Sequence, residues 1–204
     1  AIEKAKAAGI PNDNIERAIA KGAGTLESGN QLETIRYEGY GPGGVAILIE
    51  ALTDNRNRTA ADLRSAFTKN SGNLGEMGCV SWMFEQKGMV TLRGPVDEEA
   101  LFETSVDIGA ESYEMTEVDE SEGAEVFSEA ENLETLIIGM QAAGYTISET
   151  ELRWIPTNTL QITEVDQARS LLKLMDALED LDDVKNVTAN FDMSEELLMQ
   201  SLGQ

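Results

Sequence analysis

The residues best equipped for chemistry stand at Asn55-Arg56-Asn57-Arg58, just after an aspartate and just before a helical periodicity, with Arg64 and Lys69 further along. At the start of a helix the first backbone N–H groups are unpaired, so two guanidinium forks placed there converge with peptide donors on one spot. Such a spot suits a phosphate. The same arginines could instead pair with Glu50, with Asp54 or with acids elsewhere in the chain, and the sequence leaves both readings open. Lys4, Lys6, Arg17 and Lys21 form a second basic group near the start and are further candidates for phosphate contact.

Other constellations are weaker. The chain has no histidine, which excludes Ser-His and Cys-His nucleophile pairs and leaves metal chemistry to carboxylates. Its one cysteine, Cys79, can form no internal disulfide and no cysteine-rich zinc site. Gly39-Tyr40-Gly41-Pro42-Gly43-Gly44 lacks the Gly-Lys-Ser/Thr ending of a phosphate loop and precedes a strand pattern, so it reads as a hairpin turn. The acidic turn Asp119 to Gly123 fails the calcium-loop template, because Ala124 stands where that loop needs glycine. No nucleophile stands beside a base. These observations imply a protein that is not an enzyme and uses no cofactor, metal or small-molecule substrate.

Charge divides the chain. Residues 1–93 carry 11 Lys/Arg and 11 Asp/Glu, residues 94–152 carry none and 17, and residues 153–204 carry 4 and 10. The formal charge of -23 is therefore concentrated in one segment. By default that segment reads as a solvated acidic surface, and in the functional alternative as a face that repels nucleic acid and meets a basic protein partner. The longest apolar runs are far shorter than the roughly 20 residues that cross a bilayer. A reducing compartment is expected, either the bacterial cytoplasm or, in a eukaryote, the mitochondrial matrix.

The elements that must position these residues follow from periodicity. Ala1 to Ala8 and the stretch from Asp13, with Ile15, Ala18 and Ile19 as its stripe, read as two short helices. They are too small for a core of their own, and the first lacks its beginning. A remnant N-terminal helical domain over residues 1–30, its linker included, and a missing upstream segment are therefore expected. Ile35 to Tyr40 and Val45 to Leu52 read as strands. The following helix is capped by Asp54, turns Ala60, Leu63 and Phe67 inward, and ends near Asn70-Ser71-Gly72.

Alternation in Val80 to Phe84 predicts another strand, with Trp82 as a core anchor, ended by Gly88. Strand 89–92, helix 97–106, strand 112–117, strand 124–127, helix 133–143 and strand 145–154 follow in the order βαββαβ. Strand 160–162, a helix opened by Thr163 and facing inward through Val165, Ala168, Leu171, Leu172, Met175 and Leu178, and strand 185–191 remain. Joined to strand 45–52, helix 56–69 and strand 80–85, they make a second βαββαβ unit. The expected class is α+β: two ferredoxin-like domains, one of residues 31–87 plus 155–204 and the other, acidic, inserted at residues 88–154.

Long, uncommon motifs add a resemblance. GYGPGGVAILIEALTDNRNRTAADLRSAF (39–67), SGNLGE (71–76) and VSWMFE (80–85), with AIEKAKAAGIPNDNIERAI at the start and LEDLDDVKNVTANFD near the end, resemble the YebC/PmpR family over essentially the whole chain. The resemblance implies a helical bundle followed by two α+β domains. It also implies a strongly basic segment upstream of Ala1, and a family pattern with histidine and glycine where this chain has Asn70 and Ser71. Family members are mostly described as DNA-binding transcriptional regulators. Others resemble ribosome-associated translation factors, and mitochondrial members are translational activators of cytochrome oxidase subunit synthesis. The expected partner is thus nucleic acid, either DNA or, in the alternative, ribosomal RNA, with ribosomal or other basic proteins meeting the acidic insert. A protein-binding adaptor is a third, weaker possibility.

Overall fold

The computed structural model describes residues 31–203, in which two four-stranded antiparallel sheets are each backed by helices. The expected helices of residues 1–30 lie outside the described residues.

The first sheet begins with β1 (Glu33–Tyr40) and β2 (Ala46–Thr53), an antiparallel hairpin in register from Glu33↔Thr53 to Tyr40↔Ala46. Gly43 at φ 77° and Gly44 at φ 81° make the turn in a backbone region that residues with a Cβ avoid. Helix α1 (Arg56–Lys69) crosses back, β3 (Asn73–Leu74) pairs with the end of β1, and β9 (Val184–Ala189) closes the other side, giving the order β3-β1-β2-β9. One sheet face carries Val45, Ile47 and Ile49 against Leu63 and Phe67 of α1 and against Ala168, Leu171, Leu174 and Leu178 of the helix Val165–Glu179. Burying each large side chain of this set contributes about 1.5–3 kcal/mol. Phe67 fits because Gly39 lies beneath it: a Cβ there would stand 2.7 Å from the ring.

The second sheet is built from β4 (Phe84–Arg93), α2 (Glu98–Ile108), β5 (Ser112–Val118), β6 (Ser121–Glu129), α3 (Leu133–Ala142) and β7 (Thr146–Pro156). Its strand order is β5-β6-β4-β7, with every neighbour antiparallel. Val90, Leu92, Ala124 and Val126 of the sheet meet Leu101 of α2 and Leu136 and Met140 of α3 in a core of their own. Asp97 caps α2 by accepting from Ala100 N–H, and Gly109 at φ 79° ends it. The far face of the first sheet (Ala46, Leu48) packs on Val80, Phe84 and Trp154, so the two sheets are joined where the chain passes between them.

After β7 the chain adds β8 (Leu160–Gln161), α4 (Val165–Glu179), β9, β10 (Phe191–Asp192) and α5 (Glu195–Leu202), a helix that periodicity did not single out.

Several expectations are corrected. Val80 to Phe84 is not a strand: Ser81–Met83 is a turn of 3-10 helix, and Trp82 is 73% exposed rather than a core anchor. The strand starts at Phe84 and runs through Gly88, where a Cβ would meet Leu133 Cβ and Ser128 Oγ at 2.8 Å. That glycine is there for close packing, not to stop the strand. With no strand at 80–85, and with β8 paired in parallel to β10 instead of joining the sheet, the first unit does not take the βαββαβ order. The cap of α1 is Asn55, not Asp54, and α4 is preceded by Glu164 with no side-chain cap. Leu174, not Leu172, fills the core beneath α4.

Candidate nucleic-acid interface

The first turn of α1 is held by a network that the sequence only half announces. Thr53 Oγ1 accepts from Asn55 N–H at 2.9 Å, and Asn55 Oδ1 accepts from Arg58 N–H at 3.1 Å, which fixes where the helix starts. Arg58 then donates to both oxygens of Asp183, at 2.9 to 3.2 Å, and to Asp54 at 2.9 Å. Thr59 Oγ1 adds a bond to Asp183 at 2.9 Å. Asp183 is 7% exposed, and its hydrogen bonds, with those of Asp54, hold the Arg58 guanidinium protonated even more firmly than usual.

Arg58 therefore joins α1 to the loop before β9. Arg56 is engaged differently: it donates to both oxygens of Glu33, at 2.6 and 2.7 Å, across the surface, with 67% of its own side chain exposed. That pairing lowers the Glu33 carboxyl below its ordinary range, mainly through the Arg56 hydrogen bond.

Of the remaining candidates, Asn55 and Asn57 are exposed in the same turn, and Arg64 and Lys69 are exposed along α1 with no ion pair among the described residues. Lys4, Lys6, Arg17 and Lys21 lie outside the described residues. The structure thus gathers Asn55, Arg56, Asn57 and Arg58 into one turn, spends Arg58 on Asp183 and Asp54, and leaves Arg56 in a surface pair. Of the internal acids expected to pair with them, Asp54 does; Glu33 and Asp183 do the rest.

Three features had no local signal. Glu38, 1% exposed, accepts backbone N–H bonds from Gly78, Val80 and Ser81 at 2.6, 3.1 and 2.6 Å. It thereby pins a loop that carries Met77, 77% exposed, and Trp82, whose indole N–H donates to the Cys79 carbonyl. Arg36 stacks on Trp154, its guanidinium carbon 5.1 Å from the ring centroid. A groove of about 330 Å³ runs beside β1, lined by Tyr37, Arg56, Asn57, Ala60 and Met77 among others. Only the exposure of an Arg/Asn-rich helix start could have hinted at it.

The acid-rich sheet keeps its few cations busy: Lys87 meets Glu85, Glu111 and Glu129, Arg153 meets Glu125 and Glu151, and Arg93 meets Asp119. Among the described residues no three His, Cys, Asp or Glu side chains converge on a metal position, and no helix is long and apolar enough to cross a membrane.

Known proteins resemble the chain in sequence and in fold. The family model described as TACO1/YebC second and third domain matches residues 32–191. A probable transcriptional regulatory protein of Gloeothece citriformis is 70% identical over 199 residues, 97% of this chain and 78% of that protein. One from Nostoc sp. is 69% identical over 202 residues, 98% and 79%. A crystal structure of a conserved hypothetical protein from Aquifex aeolicus superposes with a TM-score of 0.78 at 45% identity, over 97% of this chain and 79% of that one. With the glycine hairpin, the α1 start and the pinned loop all inside the matched span, the chain belongs to the TACO1/YebC family, also known as YebC/PmpR.

Proposed function

We propose that this chain is a non-enzymatic, DNA-binding regulator of transcription. The observation that carries this reading is α1: in a chain of net charge -23 it holds Arg56, Arg58, Arg64 and Lys69 against a single acid, Asp62. The relatives named as probable transcriptional regulatory proteins support it. In domain terms, residues 84–156 form an acidic ferredoxin-like domain inserted into a discontinuous α+β domain that carries α1. The insert turns nucleic acid away from its own surface and so confines contact to the basic helix. A bacterial cytoplasmic location accords with this role.

The test is binding of the full chain to a promoter-length duplex across a salt series. Each phosphate neutralised should contribute a slope of roughly -0.9 in log affinity against log salt. Arg64→Glu with Lys69→Glu should flatten that slope by about two such contacts. An unchanged slope would remove α1 from the interface. The rival reading, a ribosome-associated translation factor, draws on the insert, whose residues 94–152 hold 17 acids and no Lys or Arg and so match basic ribosomal proteins. Salt-resistant co-sedimentation with ribosomes, without sequence-selective duplex binding, would establish it instead.

A further inference from the structure

Strand β1 is an edge strand for most of its length. β2 pairs with it from Glu33 to Tyr40, whereas on its other side β3 covers Gly39 and Tyr40 alone. On that side the Glu38 carbonyl accepts from Gly75 N–H at 2.8 Å. The two-residue alternation of an antiparallel strand then turns the backbone N–H and C=O of Arg36 the same way. Among the described residues no strand meets them, and the space beside them is the 330 Å³ groove.

The groove's walls differ in chemistry. On one side Arg56 presents a guanidinium whose carboxylate partner, Glu33, is itself at the surface, and such an exposed pair yields readily to a competing anion. Arg64, two helical turns on, continues the flank of Arg56 and Ala60 at four-residue spacing and has no ion pair among the described residues. On the other side Met77 offers an exposed, polarisable thioether arm on a loop that Glu38 holds in place. Between them lie the donor and acceptor of the Arg36 peptide.

A cation for phosphate, an apolar surface for a base face and a peptide donor-acceptor pair for a base edge are together what an unpaired nucleotide requires. A duplex keeps its base faces stacked inside and cannot use such a groove. The geometry points to this groove as a binding site for an unpaired nucleotide of a single-stranded segment, supplied by RNA or by melted DNA. The inference rests on the nucleic-acid reading above and narrows it to one subsite.

The test uses the full chain with Met77→Ala and Met77→Glu, both at an exposed position outside α1 whose substitution leaves the core untouched. Binding by fluorescence anisotropy is compared for unstructured oligo-dT and oligo-rU of about ten nucleotides and for a hairpin duplex. Each variant should weaken single-strand binding by about tenfold and leave duplex binding as it was. Preference for oligo-rU or for oligo-dT identifies the source. Single-strand affinity that stays within about twofold in both variants overturns the groove while leaving the broader reading intact. Absence of binding to every nucleic acid overturns both. Binding of an extended acidic peptide that the variants abolish, with no effect on the oligonucleotides, would assign the open edge to strand addition and overturn the nucleotide site.

Discussion

Replacing Glu38 by glutamine tests the device that holds the exposed loop in place. The carboxylate is 1% exposed and accepts three backbone N–H groups, from Gly78, Val80 and Ser81. Glutamine keeps one acceptor oxygen but turns an NH2 group toward peptide donors that need an acceptor. Hydrogen bonds to a charged group are worth about 1.5–3 kcal/mol each, and an orphaned buried donor costs about 1–3 kcal/mol. Losing one oxygen's share should therefore destabilise the chain by roughly 3 kcal/mol, or about 6–12 °C in melting temperature for a chain of this size. Hydrogen exchange should show the amides of Gly78, Val80 and Ser81 losing protection first.

The pH dependence has a definite sign. Burial pushes the Glu38 carboxyl up, but the three backbone N–H bonds outweigh it and hold the group below its ordinary value. A carboxyl lowered by folding contributes stability above its unfolded value, near 4.3, and loses it as pH falls through the folded value. The gap between wild type and Glu38→Gln should be full at neutral pH and close in acid, below about pH 4. A variant that melts within about 1 °C of wild type, or a gap that does not change with acid, would refute the reasoning.

Five further outcomes are expected. Ser71 sits at φ 60°, where a side chain costs about 1 kcal/mol, so Ser71→Gly should raise the melting temperature by about 2–4 °C. Asp183→Ala should cost roughly 2–3 kcal/mol by urea unfolding, because it strips Arg58 and Thr59 of a mostly buried acceptor. Arg56→Ala, which breaks only a surface pair, should leave the melting temperature within about 2 °C. Trp82→Ala should be equally silent in thermal melts, whereas Trp154→Ala should cost about 2 kcal/mol by opening the contact with Ala46, Leu48 and Phe84.

What could be read in the sequence is what local periodicity encodes. The unit from β4 to β7 was legible nearly element by element, because each strand alternates or runs apolar and its second helix carries its own stop, Gly144. Val80 to Phe84 misled for a physical reason. Its alternation is that of a strand, but the N–H groups of Val80 and Ser81 are taken by Glu38, a carboxylate some 40 residues upstream, and no neighbouring residue records that bond. Gly88 misled in the opposite sense: its lack of a Cβ serves the contact with Leu133, which is visible only in three dimensions. At the candidate site the Arg/Asn cluster was legible as a cluster. Its division into a clamp on a buried acid (Arg58 on Asp183) and a surface pair (Arg56 with Glu33) depended on residues that only the fold brings within reach.

The same distinction between local and summed quantities bears on the charge of the molecule. A total of -23 would argue against any polyanionic partner if charges acted at all distances equally. At physiological salt they are screened over about 8 Å, so the field at α1 is set by the residues around it and hardly by an insert whose few cations are already paired. Near α1 the acids are Glu33 beside Arg56, and Asp54, Asp62, Asp180, Asp182 and Asp183 around Arg58. Asp183 and Asp54 are committed to Arg58, which leaves Glu33 as the one acid that an incoming phosphate must displace from Arg56. On the proposed reading, specificity for where nucleic acid lands comes from repulsion over most of the surface and from one exchangeable surface pair at the groove. Such a pairing of a wide deterrent with a narrow acceptor would let an acidic protein bind a polyanion at one place without coating itself in it.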